Sequence, residues 1–189
     1  MLRKKIRYGF LLNMLIIWSS NANISSGNCS ISITEKVIAD SITHPQNPDL
    51  KVYFFRPVNN NKPLPIIYFC HGIGATHPQR YRFLIDYIVA NNVCVCYATC
   101  DPFIAAISPA TAYSHLWKGF VAGQKKWKRF IDIRKIGIVG HSYGGGAAAN
   151  IAWNAVNRKR WGANGCFIYI MAPWYCYEMN ADRFKAAIP

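Results

Sequence analysis

Lys135-Ile-Gly-Ile-Val-Gly-His-Ser-Tyr-Gly-Gly-Gly-Ala-Ala-Ala149 is the stretch whose reading decides the fold. A short apolar run reaches Val139 and breaks at Gly140. A serine stands at 142 and glycines at 144, 145 and 146, and the small residues that follow read as a helix. Gly140-His141-Ser142-Tyr143-Gly144 matches Gly-x-Ser-x-Gly in the strand, turn and helix setting that a nucleophile elbow requires. A serine carried on so sharp a turn sits in strained backbone. Side chains two residues to either side would collide across the turn, so both flanking positions need glycine. Ser142 is the candidate nucleophile.

Outward from the elbow, Pro65-Ile-Ile-Tyr-Phe-Cys70, Val93–Ala98 and Gly165–Ala172 are continuous apolar runs. Such runs mark strands covered on both faces, as in a parallel sheet. Between the first two, Tyr81, Leu84, Ile85 and Ile88 share one face of a helix over Pro78–Ala90, which Asn91-Asn92 ends. A loop holding Asp101, Pro102 and Pro109 follows. Ala112, Leu116, Phe120, Gly123, Trp127 and Ile131 then recur at steps of four and three, giving a long amphipathic helix. After Ser142 the inward face is Ala148, Ile151, Ala152 and Ala155. Near the start, Ile31–Val37 and Leu50–Arg56 read as an antiparallel, hairpin-like opening. Strands alternating with helices predict a three-layer α/β domain with a mostly parallel sheet and an antiparallel N-terminal strand. Ligands bind such sheets at the carboxyl ends of the strands, where His71-Gly72, Asp101 and Ser142 fall.

Tyr68-Phe-Cys-His-Gly-Ile-Gly74, followed by Val139-Gly-His-Ser-Tyr-Gly-Gly145, resembles the α/β-hydrolase superfamily of serine esterases over residues 50–189. Tone and spacing are similar to its dienelactone-hydrolase, chlorophyllase and platelet-activating-factor-acetylhydrolase-like members. The resemblance implies an α/β-hydrolase fold, hydrolysis of a small-molecule or lipid carboxylic ester through an acyl-enzyme, and no cofactor. It also implies that Ile73 and Tyr143 lend backbone N–H groups to an oxyanion hole. Acyl transfer needs such donors, because negative charge develops on the carbonyl oxygen and fixed N–H groups about 2.7–3.1 Å away stabilise it. His71, Gly72, Gly74, Gly140 and Gly144 are then structural turn residues, with Gly72 and Gly74 letting the backbone approach the substrate. Tyr143, Trp174 and Tyr175 suit an apolar or aromatic acyl group, and core packing accounts for them equally.

The chain departs from the superfamily order of serine, then acid, then histidine. Its five histidines are His44, His71, His77, His115 and His141, and none follows Ser142. The base histidine is therefore absent. His141 and His71 read as structural, and His77 is the one that could approach from its loop. Asp182 or Glu178, after the sixth strand, is the candidate acid; Asp101 shapes the pocket entrance or caps a loop. The domain is expected to be incomplete at its C-terminus, lacking the last strands and leaving the sixth as an exposed apolar edge. Two readings stay open: a serine-dependent ester hydrolase whose base lies beyond residue 189, and a non-catalytic remnant that keeps the elbow because the fold needs it.

With 189 residues, 52% of them hydrophobic, the chain can form one domain with a sizeable core. Residues 1–26 read as a signal peptide and 27–189 as the hydrolase domain. Arg3 to Arg7 form a basic n-region, and the apolar core Tyr8–Trp18 is shorter than the roughly 20 residues of a membrane span. Export to a periplasm or the outside is expected; an uncleaved membrane anchor or an artefactual extension is the alternative. The net charge is +14. Its clusters at Lys125–Arg129, Arg134-Lys135 and Arg158-Lys159-Arg160 read as solvated helix faces and helix C-termini, where cations complement the dipole. No recognition motif accompanies them, so nucleic acid is not an expected partner, and peripheral membrane contact rests on charge alone. Seven cysteines include Cys94-Val-Cys96, read as a pair split across two faces of a strand. No ligand spacing points to a metal, and a disulfide involving Cys100 or Cys176 would suit an exported chain. Nothing here fixes the oligomeric state.

Overall fold

The structure, a computed structural model, describes residues 37–174. Its strands are β1 (Val37–His44), β2 (Asn47–Pro57), β3 (Leu64–Cys70), β4 (Cys94–Ala98), β5 (Ile131–His141) and β6 (Gly165–Met171). They form one sheet in the order β1-β2-β4-β3-β5-β6. β1 and β2 form an antiparallel hairpin, β2 lies antiparallel to β4, and β4, β3, β5 and β6 are mutually parallel. The mostly parallel sheet with an antiparallel start is as the sequence predicts, but the hairpin's first strand is displaced. All but the last residue of the predicted Ile31–Val37 strand lie outside the described residues, and the observed strand begins at Val37. Its alternation is faint because most of its side chains are exposed or half-exposed, and it is first in the sheet order among the described residues.

The helices are α1 (Arg82–Ala90), entered through a 3-10 turn over Pro78–Tyr81, then α2 (Pro102–Ile107), α3 (Pro109–Lys126) and α4 (Tyr143–Trp153). Successive strand residues face opposite sides of the sheet, and two cores result. Phe55, Ile67, Phe69, Val95, Tyr97 and Val139 pack against Ile85, Ile88 and Val89 of α1. On the other face Val52, Phe54, Ile66, Tyr68 and Ile138 meet Leu116 and Phe120 of α3 and Ala148 and Ile151 of α4. Three layers follow directly. The α3 backbone approaches so closely that a Cβ on Gly119 would lie 2.6 Å from that of Ala98.

Four details differ from the sequence reading. Cys94 and Cys96 both point into the α3 side, since residues two apart in a strand share a face. The loop after β4 contains α2, whose N-terminus Asp101 caps by accepting the Phe103 N–H at 2.8 Å. α3 stops at Lys126; Ile131 keeps the helical spacing but pairs with Leu64 as the first residue of β5. β6 is not a buried strand: it is last in the sheet order among the described residues, and Tyr169 and Ile170 stay 42% and 36% exposed. Cys100 is a free, buried thiol, and Cys176 lies outside the described residues.

At its start β5 bulges. Leu64 and Ile66 of β3 face Ile131 and Ile136 of β5, so Asp132–Lys135 loops out of the β3–β5 register. The bulged backbone is held by the chain entering β6, whose Gly162 and Asn164 N–H groups donate to Ile133 and Arg134 carbonyls at 2.9 and 2.8 Å. From there β5 runs the length of the sheet to deliver Ser142 at its other end.

Candidate active site

Between β5 and α4 the chain reverses on one residue. Ser142 has φ 51° and ψ −117°, a conformation L-residues avoid and that persists only where surrounding structure enforces it. Its N–H donates to the Met171 carbonyl at 2.9 Å, and its own carbonyl accepts from Gly145 at 2.9 Å and Trp174 at 2.8 Å. The flanking glycines are required by space. A Cβ on Gly140 would lie 2.5 Å from the Gly144 carbonyl oxygen, and one on Gly144 would fall on the Cys70 carbonyl and 2.6 Å from that of His71. The elbow geometry expected from the motif is present, with Ser142 at the N-terminus of α4, where the dipole favours negative charge.

Parallel pairing fixes what stands beside it. Cys70 is opposite Gly140, so the chain leaving β3 passes the elbow as His71-Gly72. Gly72 accepts the Ala75 N–H at 3.1 Å and Gly74 has φ 74°, a β-turn with glycine where positive φ is needed. His71 is buried and acts as a strut. The Cys100 N–H donates to its Nε2 at 3.2 Å, which leaves Nδ1–H to donate to the Gly72 carbonyl at 2.7 Å, and its ring stacks on Tyr97. Burial lowers its pKa to about 4, so it is neutral.

Gly72 also donates its N–H to the Tyr81 hydroxyl at 3.0 Å, and that hydroxyl shares a second hydrogen bond with His141 Nδ1, 2.8 Å away. Tyr81 thus ties the turn after β3 to the residue preceding Ser142. The sequence reading placed Tyr81 on a buried helix face, and spacing carries no sign of where a hydroxyl will end. Gly72, Ile73, Arg80, Tyr81, His141 and Ser142 line an open cleft of about 400 Å³. The Arg80 cation in that cleft was likewise not singled out from sequence.

Of the expected site residues, Ser142, Ile73 and Gly72 come together in the cleft, with Ile73 45% exposed, and His141, read as structural, lines it beside them. Tyr143 follows Ser142 directly, but its ring is fully buried between Tyr113 and Trp174, with centroids at 5.4 and 5.7 Å, so that ring belongs to the core. The other histidines lie elsewhere, His115 buried on α3 against the His44 ring. His44 donates from Nε2 to the His115 carbonyl at 3.0 Å, and His77 caps the 3-10 turn by accepting the Gln79 N–H at 3.2 Å. Among the described residues no histidine hydrogen-bonds the Ser142 hydroxyl. Asp101 is committed to α2, and Asp182, Glu178 and Tyr175 lie outside the described residues. Nor does any group of three His, Cys, Asp or Glu side chains among the described residues suit a metal.

The chain is similar to solved esterases. Esterase B from Lactobacillus rhamnosis, in a form inhibited by a tributyrin phosphonate, matches with TM-score 0.59 and 15% identity over 74% of this chain and 50% of its own. A bacterial heroin esterase matches with TM-score 0.57 and 17% identity, over 84% of this chain and 49% of that one. A thermostable esterase from Pseudomonas putida matches with TM-score 0.51 and 25% identity, over 66% and 40%. This is the α/β-hydrolase fold. The chain spans about half the length, or less, of these three esterases. No protein-family model matches the sequence, and no curated protein matches it.

Proposed function

We propose that this domain carries the nucleophile half of a serine carboxylic-ester hydrolase, with Ser142 as the attacking residue. The observation that carries the reading is the enforced backbone of Ser142 beside the His71–Ala75 turn, in a fold shared with esterases. Ser142 Oγ attacks the ester carbonyl, the alcohol leaves, and water releases the acid from the acyl-enzyme. The N–H groups of Ile73 and Tyr143 stabilise the oxyanion, and the cleft takes a small-molecule ester. A hydroxyl at neutral pH needs a base, and the base and acid of this reaction are supplied from outside the described residues.

A second reading is favoured by a specific observation. No described histidine is bonded to Ser142, which suits a non-catalytic protein that keeps the elbow for its fold. A fluorophosphonate probe separates the two when applied to the full chain and to Ser142→Ala. Labelling of the wild type that the substitution abolishes supports the hydrolase. Equal background labelling of both supports the inert scaffold.

A further inference from the structure

We propose that the end of the sheet opposite Ser142 is a docking surface for an anionic phospholipid membrane. The three basic clusters are far apart in sequence, yet the topology delivers them to one place. α3 ends there with Lys125-Lys126, and the 3-10 turn carrying Lys128-Arg129 leads into the start of β5. The β5 bulge then extrudes Arg134-Lys135 from the β3–β5 pairing, with both side chains exposed. α4 runs back from the elbow and continues through a helical turn ending at Arg158, so exposed Arg158-Lys159-Arg160 joins the same end just before β6 begins. β2 is antiparallel to β4, so its C-terminal end brings Arg56 alongside.

Ring contacts verify this convergence. Arg56 and Arg129, from different elements, both place their guanidinium over Phe130, at 4.2 and 4.5 Å from its centroid. No carboxylate separates or neutralises that pair among the described residues. Among the described residues, Asp132 at this end is paired with Arg134 at 2.8 Å, and Asp40 accepts the Trp127 indole N–H at 2.8 Å. A broad concentration of guanidinium and ammonium groups, in excess over the described carboxylates, fits a surface of phosphate headgroups.

Two observations favour a membrane over nucleic acid. Val58, just beyond β2 and 41% exposed, adds an apolar tip at the same end. The aromatic rings here that could stack on a base, Phe130 and Trp153, carry arginines instead. Docked this way, the strand β5 sets Ser142 about 30 Å from the lipid surface at roughly 3.3 Å per residue, and its cleft faces water.

The test is sedimentation of the full chain with phosphatidylcholine vesicles, with and without 30% phosphatidylserine, at low and high salt. The N-terminal segment is common to every variant, so differences report the patch. Binding should need phosphatidylserine and fall as salt rises. Lys128→Gln with Arg129→Gln, and separately Arg158→Gln with Lys159→Gln, should each weaken it by about tenfold or more, since each cation near such a surface is worth about fivefold. Lys51→Gln with Lys118→Gln removes equal charge away from the patch and should change binding less than twofold. Equal loss in all three pairs, binding without phosphatidylserine, or tighter binding to a DNA duplex than to vesicles at the same salt would each overturn the proposal.

Discussion

His71 makes the acid stability of this domain predictable. Its imidazole is buried, accepts the Cys100 N–H and donates to the Gly72 carbonyl, and its pKa is lowered from 6.5 to about 4 because burial disfavours the charged form. The unfolded chain therefore binds a proton that the native chain refuses as pH drops from about 6.5 toward 4. Stability is complete above 6.5 and is lost as pH falls through that window. At 1.36 kcal/mol per pKa unit, the whole shift corresponds to roughly 3 kcal/mol, of which about 2 kcal/mol is lost by pH 5. Urea unfolding of the wild type and His71→Gln at pH 7.5 and pH 5, followed by near-ultraviolet circular dichroism, measures this. His44 and His115, whose pKa values burial also lowers, titrate in both proteins and cancel in the difference. The amide can donate and accept as the imidazole does, so the variant should fold, start less stable through lost stacking on Tyr97, and lose about 2 kcal/mol less between the two pH values. A pH dependence matching the wild type within about 0.5 kcal/mol would refute the placement of a neutral, buried His71.

Two glycines separate space from conformation. Gly144→Ala drives a methyl onto backbone carbonyls and should cost about 3 kcal/mol or prevent folding, whereas Gly74→Ala meets nothing within 4 Å and should cost only about 1 kcal/mol for its positive φ; thermal melts of both variants read the contrast. Tyr81→Phe removes the acceptor of the Gly72 N–H and the hydrogen bond to His141, and should lower stability by about 1–2 kcal/mol in a chemical denaturation curve, with the ring contact to Phe69 retained.

Legibility in the sequence followed burial. Strands β3, β4 and β5 were readable because both faces pack, which demands the unbroken Ile66–Cys70, Cys94–Ala98 and Ile136–Val139 runs. The elbow was readable because its motif is contiguous in sequence, although only Gly140 answers to a near neighbour, Gly144, while Gly144 answers to the carbonyls of Cys70 and His71. β1 was misplaced because its mostly exposed side chains leave little pattern, and β6 was read as buried because its apolar run is continuous, although the expectation that it lies exposed at an edge agrees with its partly exposed side chains. α2 was missed because six residues between two prolines hold too little periodicity. Tyr81 and the assembly of basic clusters depend on which strand lies beside which, a property of sheet order that no local pattern records. Cys94 and Cys96 were a different matter, since strand periodicity alone puts them on one face.

The elbow's backbone bonds have a consequence for how this molecule opens. The Ser142 N–H and carbonyl are tied to Met171 and Trp174, at the far end of the outermost described strand on that side. The unfavourable serine conformation is thus supported in part by contacts made across a long chain separation, with the segment that carries and follows β6. Fraying of β6 from β5 would withdraw both of those bonds while the β3–β4 pairing stays in place. Amide hydrogen exchange at Ser142, whose N–H is bonded to the Met171 carbonyl, then reports how firmly the end of β6 is seated.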